Sequence, residues 1–403
     1  MRGDLPAAVN LFERAVALSE PGERERIEIL SRQGTIVAQL GRLEEAEDLL
    51  TTALEQSEEL DDAAQAARVE VAREFVRLQR DPEGRSEAIV QLVERVVPLF
   101  ESAGDELGLA RALRLRSEVD RLVCRFGAEA EALEEALRHA ERTTDRREAT
   151  EIRLWLCTSM IYGPTPVQVG IERIREMLEL GRGVRWMEAA ILGGLGYLEA
   201  MAGRPEDGRQ LYARSRAIYE ELGMSFALAA RAIIPAGIEA MAGEYEAAEQ
   251  ELLTGYTALS EIGENELRST VAATLAQTLF ELGRDDEAES YADASAEMAA
   301  EDDVFTQVLW RGARAKVLAR RDGDPAAEEV ARASVSLAAP TDCLSLHGQA
   351  LLDLAEVLAL LGRPTEAPGV VAAAIALLQQ KGDVPAIRRA AALMGAPVGD
   401  PAP

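Results

Sequence analysis

Residues 26–56 read RIEILSRQGTIVAQLGRLEEAEDLLTTALEQ, and the fold of the whole chain turns on how this stretch is parsed. Ile27, Leu30, Gly34, Val37, Ala38 and Leu40 recur at intervals of three and four, the spacing of one apolar helical face. Gly41 ends that helix, because a helix stops most easily on a left-handed residue and glycine carries no Cβ to oppose it. Beyond the turn, Leu43, Ala46, Leu50, Ala53 and Leu54 mark a second amphipathic helix. Ala46 and Ala53 let the two helices approach closely and the leucines fill the remaining volume. The unit is a helical hairpin whose other face must be buried on a neighbour.

The pattern of Gly41, Leu43, Ala46 and Ala53 returns along the chain. Copies begin at Gly203 (GRPEDGRQLYARS), Gly243 (GEYEAAEQELLTG), Gly283 (GRDDEAESYADAS) and Gly362 (GRPTEAPGVVAAA), with a one-residue deletion in GDPAAEEVARAS from Gly323. The steps between Gly203, Gly243, Gly283 and Gly323 are 40 residues each. CRFGAEAEALEEA places Cys124 where glycine stands elsewhere, and weaker copies fall near Gly84 and Gly163. A fixed period of this size is the mark of stacked helix pairs. The expected architecture is all-α, a right-handed α-solenoid of about ten hairpins over residues 1–396, with a disordered Pro/Gly tail at 397–403. YGPTPVQVG (162–170) predicts an irregularity, since two prolines cannot lie inside one helix.

Composition agrees. Ala, Leu, Glu and Arg dominate and aromatics are 4%, which favours helix over strand. The formal charge of -28 repels phosphate backbones and anionic lipid, arguing against general nucleic-acid or membrane binding. Lys316 and Lys381 are the only lysines, so 41 of the 43 basic residues are arginine. Cys124, Cys157 and Cys343 are far apart without CxxC spacing, as expected of reduced thiols in a cytoplasmic protein. The apolar run AAILGGLGYLEAMAG is too short and too broken by Glu199 to span a bilayer.

Gly34, Gly41, Leu43, Ala46 and Ala53 occupy positions that resemble the signature of tetratricopeptide repeats, with about six residues more than the usual ~34 per unit. A tighter resemblance lies in DELGLARALRL (105–115), CRFGAEAEALEEALRHA (124–140), TQVLWRGARAKVLARR (306–321) and ALLDLAEVLALLGRPTEA (350–367). These phrases are similar to the C-terminal repeat region of bacterial signalling proteins that carry adenylate cyclase and STAND-type AAA ATPase domains ahead of it. The resemblance implies a sensing or docking module of a regulatory protein, with ATP chemistry in the preceding domains. The opening MRGDLPAAVNLFERAVAL fits that expectation. It matches the second helix of a hairpin, with Gly3, Leu5, Ala8 and Ala15 in register and no first helix before it. The two expectations are a longer protein of which this is the C-terminal part, and self-association through residues 1–18.

The chain carries no recognisable catalytic motif. Lys316 and Lys381 follow no glycine-rich phosphate loop, and GRGVRW (181–186) lacks the third glycine of a dinucleotide fingerprint. His139 and His347 have no partners at ligand spacing. The runs EEAE, EDD and DDEAE read as solvated faces and helix N-terminal charges. No catalytic, cofactor or metal residue is nominated.

What remains is a surface. In tetratricopeptide arrays the first helix of each unit lines the concave side, and that resemblance places Cys157, Met160, Gly193, Gly194, Tyr197, Met201, Ile233, Ile234, Gly237 and Met241 there. Such a small, methionine-rich apolar set suits adaptable binding. Arg111, Arg114, Arg121, Arg153, Arg314, Arg320 and Arg321 flank it. The expected partner is a protein or peptide, such as an acidic amphipathic segment gripped by arginine, whose docking changes the curvature of the coil. The alternatives are intramolecular packing of the same residues, a small-molecule sensor with its pocket against Gly193, Gly194 and Gly237, and a free-standing adaptor.

Overall fold

The computed structural model describes residues 5–20, 23–81, 84–144, 146–180 and 184–394; the tail at 397–403 lies outside them. Among the described residues every regular element is helical. A single helix, α1 (Leu5–Leu18), precedes nine hairpins. The first four are α2 (Arg24–Gln39) with α3 (Leu43–Glu59), α4 (Ala63–Arg80) with α5 (Arg85–Ala103), α6 (Glu106–Leu122) with α7 (Phe126–Glu141), and α8 (Arg146–Tyr162) with α9 (Val167–Leu180). Next come α10 (Arg185–Met201) with α11 (Pro205–Glu221), and a broken first helix, α12 (Ser225–Ala229) and α13 (Ile233–Ala242), with α14 (Tyr245–Glu261). The last three are α15 (Glu266–Glu281) with α16 (Asp285–Met298), α17 (Val304–Asp322) with α18 (Ala326–Ala338), and α19 (Leu344–Leu360) with α20 (Ala367–Lys381). A final helix, α21 (Val384–Leu393), follows. The chain is an all-α solenoid.

The repeat signature explains each turn. Gly41, Gly203, Gly243, Gly283, Gly323 and Gly362 adopt left-handed φ between 60° and 85° at the bend inside their hairpins. Cys124 takes the same conformation at φ 53° in place of glycine. Several first helices begin on aspartate: Asp62, Asp105, Asp303 and Asp383 accept from the N–H groups of Gln65, Gly108, Thr306 and Ala386.

Small residues bring the paired helices to backbone contact. A Cβ on Gly208 of α11 would stand 2.6 Å from the Gly196 carbonyl oxygen of α10, and one on Gly196 would stand 2.8 Å from that of Gly208. Seven residues further along, a serine repeats one bond in three hairpins. Ser215, Ser295 and Ser334 donate to the carbonyls of Ala189, Ser269 and Val308, each 26 residues back, at 2.6, 2.8 and 3.0 Å. These hydroxyls are buried and satisfied, so they pin the two helices in register.

The array coils tightly enough for hairpins about five apart to touch. The Asp342 carboxylate, just before α19, accepts from the Phe126 and Gly127 amides at the start of α7, both at 2.8 Å. Lys381, closing α20, donates to the carbonyls of Met160, Gly163 and Thr165 at 3.0, 2.7 and 2.9 Å. Asn265 reaches the Arg80 carbonyl 185 residues away, and Gly203 lies under Val384 of α21. One turn of the coil therefore rests on the next. The proline-rich stretch 163–166 is the bend between α8 and α9, and its carbonyls are those that Lys381 holds.

Residues 225–242 are apolar enough by composition to pass as a membrane span. In the fold they are two helices, interrupted at 230–232 and packed against α10, α11 and α14. Pro235 accounts for the break: it has no N–H to offer the Arg231 carbonyl, which accepts instead from Ile234 at 2.9 Å.

Replacing Gly208 by Ala is expected to destabilise the central hairpins by about 1–3 kcal/mol, because backbone must yield to the new methyl. Urea unfolding followed by circular dichroism would register the loss, and an unchanged midpoint would contradict the close approach.

Candidate functional site

The ten apolar residues expected on the concave side are brought together by the structure, as a packed wall among α8, α10 and α13. Cys157, Met160, Met201 and Ile234 are buried, with Tyr197, Ile233 and Met241 half-buried against them. Gly193 and Gly194 are buried on α10, beside Ser215 and Ile161. Gly237 is the seat of the Tyr197 ring: a Cβ there would lie 2.4 Å from it. Tyr197 and Tyr162 pack at 6.1 Å, and Tyr162 meets Phe305 edge-on at 5.4 Å from the adjoining turn of the coil. The apolar surface is engaged with itself.

The seven flanking arginines all have internal carboxylate partners. Arg111 and Arg114 share Glu148 at 3.1 and 2.6 Å, and Arg114 also lies over the Phe75 ring. Arg121 joins Glu118 and Glu266 at 2.8 and 2.7 Å and faces Trp155. Arg153 pairs with Glu141, Arg314 with Asp293, Arg320 with Asp285 and Arg321 with Glu289. Burial pushes the Glu148 carboxyl up, but its two guanidiniums outweigh that and hold it below the usual range.

The most unusual chemistry lies where the turns of the coil meet. Glu118, Glu129, Glu266 and Asp303 are all buried in the region of the Arg121 guanidinium, and Glu264 is buried close to Glu266. Glu129 is 1% exposed and accepts from Ser159 at 2.8 Å. Glu264 accepts from the first amides of α15, those of Leu267 and Arg268. Burial raises Glu129 and Glu264 to about 8 and Asp303 to about 6. Sequence reading missed this cluster, although Glu129 stands five residues after Cys124, where Ala46, Gly208, Ala248 and Ala288 occupy the small position of their repeats.

The lysines are buried as well. Lys316 is 0% exposed, 3.0 Å from Asp353 and 4.6 Å from the Phe280 ring centre, with Glu281 and Glu356 just beyond. Lys381 is equally inaccessible, and desolvation lowers it to about 8. Burial pushes Cys157 and Cys343 up to about 12 and Cys124 well above its usual value, so all three thiols are poor nucleophiles at neutral pH. His139 pairs with Glu106 at 2.6 Å, and His347 is half-buried. Among the described residues no group of three or more His, Cys, Asp or Glu is placed to hold a metal.

The outer face carries a depression of about 260 Å³ between α11, α13 and α14. Tyr212, Ile238 and Pro235 form its floor, and exposed Ala213 and Ala217 lie on its rim. Arg209 and Arg216 close its sides while paired with Glu239 and Glu251.

A scan against protein-family models finds no match, and a search of curated proteins finds no relative. Among solved structures, the chain is similar to a Rap protein complexed with Competence and Sporulation Factor, at TM-score 0.67 and 14% identity over 88% of this chain and 98% of that one. It is also similar to the APC/C hetero-tetramer Cut9–Hcn1, at TM-score 0.56 and 12% identity over 98% and 79%. These likenesses define a tetratricopeptide-like helical repeat fold.

Two outcomes follow from the buried charges. The raised carboxyls bind protons more tightly in the folded than in the unfolded chain. Their stabilisation is complete below the unfolded range near 4 and is lost as pH rises through 6 for Asp303 and through 8 for Glu129 and Glu264. Lys381, depressed to about 8, relieves its cost only above that pH. The stability these groups supply should therefore fall from about pH 4 to about pH 8, the Asp303 part by pH 6, by an amount on the order of several kcal/mol, and Glu129→Gln should flatten the profile. Urea titrations across this range decide it; a flat wild-type profile would exclude it. Amine-reactive labelling with peptide mapping should leave Lys316 and Lys381 unmodified in the native protein and modify both in urea. Native labelling of Lys381 would contradict its closure of the seam.

Proposed function

We propose that the chain is a non-catalytic protein-interaction module of a bacterial cytoplasmic regulatory protein, the part that docks or senses while chemistry resides in attached or associated domains. The observation that carries this reading is the fold itself: an array of helical hairpins matching at TM-scores of 0.67 and 0.56 two structures determined as complexes. The phrases at 105–115, 124–140, 306–321 and 350–367 support a link to cyclase- or ATPase-bearing regulators through resemblance.

The partner surface in this reading is the outer groove between α11 and α14, because the concave residues are consumed by packing and the seam. The expected partner changes accordingly. With Arg111, Arg114, Arg121, Arg153, Arg314, Arg320 and Arg321 neutralised internally and a net charge of -28, an acidic segment gains little. A protein or peptide presenting an apolar ridge with basic flanks fits better.

A second reading, a small-molecule sensor, is favoured by the break between α12 and α13, where the buried Tyr219 hydroxyl has no protein partner.

The docking reading is tested with Ala213→Glu and Ala217→Glu together. Both positions are exposed, so helical content and melting should be unchanged while capture of the native partner from source cells drops at least tenfold, the effect of placing two charges in an apolar contact. Full capture by the double variant would remove the outer groove from the proposal. By contrast, Met201→Glu would unfold the wall, because Met201 is buried.

A further inference from the structure

The last helix, α21, is held more lightly than the others. It is ten residues long, VPAIRRAAAL, short of the length at which a helix persists without packing. Only Ala390 of it is fully buried, whereas α19, the first helix before it, buries eleven residues. Ala386 and Ile387 pack half-buried against the cluster that Ala390 shares with Leu351, Ala355 and Leu378. Leu393, at its end, is exposed. Elements packed this sparsely open well before the fold as a whole.

Beyond that packing, Arg389 reaches two carboxylates. One of its terminal nitrogens lies 2.7 Å from Glu281, the last residue of α15, and 3.3 Å from Glu356 of α19. Behind the two acids stands Lys316 of α17, sealed from solvent, at 3.7 and 3.9 Å from them. Lys316 does not settle them. Its nearest carboxylate is Asp353 at 3.0 Å, which is buried and held in turn by Gln277 and Gln349, and the ammonium makes no hydrogen bond to any of the three acids.

Lys316 and Asp353 therefore cancel each other in charge, and Glu281 and Glu356 are left as two half-buried carboxylates side by side. Such a pair is costly unless a cation bridges it. The bridge has to come from outside, because the buried lysine is already committed. A guanidinium suits the task, since its planar fork can serve two carboxylates at once and an ammonium is a single point of charge.

The demand is chemical, so the segment that meets it need not be tethered. In a chain of net charge -28, α21 carries two arginines and no acidic residue, with its small apolar residues on the array and Arg389 in the acidic seat. The protein thus covers the seat with the kind of segment that the seat attracts. We propose that the seat formed by Glu281 and Glu356 beneath α21 is a docking site for a short basic amphipathic helix of a partner protein, and that α21 closes it by presenting Arg389 in the partner's place. The seat shares no residue with the outer groove and stands whether or not a protein docks there.

The test begins with hydrogen exchange of the full chain. The α21 amides should exchange at least tenfold faster than those of α19 and α20, the mark of local opening. A synthetic peptide of residues 383–394, added to the parent chain at about 1 mM, the scale of effective concentration of a tethered segment, should speed α21 exchange at least tenfold more by taking the seat. In the Ala390→Pro chain, whose own α21 is broken, the same peptide should bind at least tenfold more tightly than to the parent, because the tethered competitor is gone. A peptide carrying Arg389→Gln should bind at least tenfold more weakly than the unaltered one, and one carrying Arg389→Lys should fall between them. The proposal is overturned if α21 exchanges no faster than α19 and α20, if the peptide leaves α21 exchange in the parent chain unchanged, or if the Arg389→Gln peptide binds as well as the unaltered one.

Discussion

At the crossing of α10 and α11 the two backbones meet with Gly196 and Gly208 face to face, and neither position has room for a methyl group. The same small-residue approach recurs at Ala46, Ala248 and Ala288, and it sets the wedge angle between successive hairpins. Repeated nine times, that wedge becomes a coil of about five hairpins per turn, and everything distinctive about the molecule follows from the coil closing on itself. Repeat arrays are ordinarily quasi-one-dimensional, each unit touching only its neighbours. Here contacts join residues 145 to 221 positions apart, so local melting of one hairpin must also break a seam.

The seam is polar, and its chemistry suits the geometry at each point. The carbonyls of Met160, Gly163 and Thr165 lie around one ammonium, an arrangement for three rotatable donors on a compact charge and unsuited to a planar guanidinium fork. This explains a lysine in a chain that otherwise uses arginine. Arg121 meets the opposite demand, bridging Glu118 and Glu266 from two turns of the coil while its face rests on Trp155. Burial raises Glu129 and Glu264 to about 8, so these two lower their cost by holding protons. Protonation and coil closure are thereby linked.

The hairpins were legible because each depends on a local pattern: three-to-four spacing, a glycine at the bend, a small residue five positions later. The coil was not, because its pitch depends on sub-ångström differences in helix approach accumulated over several units. Without the pitch, Tyr197, Met201 and Met241 read as either an open floor or inter-helix core, and the structure packs them into a wall. Internal pairing of the arginines was one of the readings left open, and the sequence could not name the partners, since Arg121 finds Glu266 only when hairpins far apart in sequence touch. Two exceptions were visible in outline. Cys124 replaces the bend glycine and Glu129 replaces the small residue of the same hairpin, and that hairpin carries the seam's central contacts.

Departures from the repeat thus locate the chemistry better than its consensus does. A residue that obeys the pattern is explained by packing and needs nothing else. Cys124 accepts a left-handed backbone that costs a non-glycine residue on the order of 1 kcal/mol, Glu129 accepts burial, and Pro235 interrupts a helix whose counterparts are continuous. The first two sit where one turn of the coil meets the next, so their cost is offset by closure and they belong to the fold. Pro235 lies elsewhere, and its break leaves the Arg231 guanidinium on the Ala227 carbonyl and over the ring of Tyr219, whose buried hydroxyl has no protein partner.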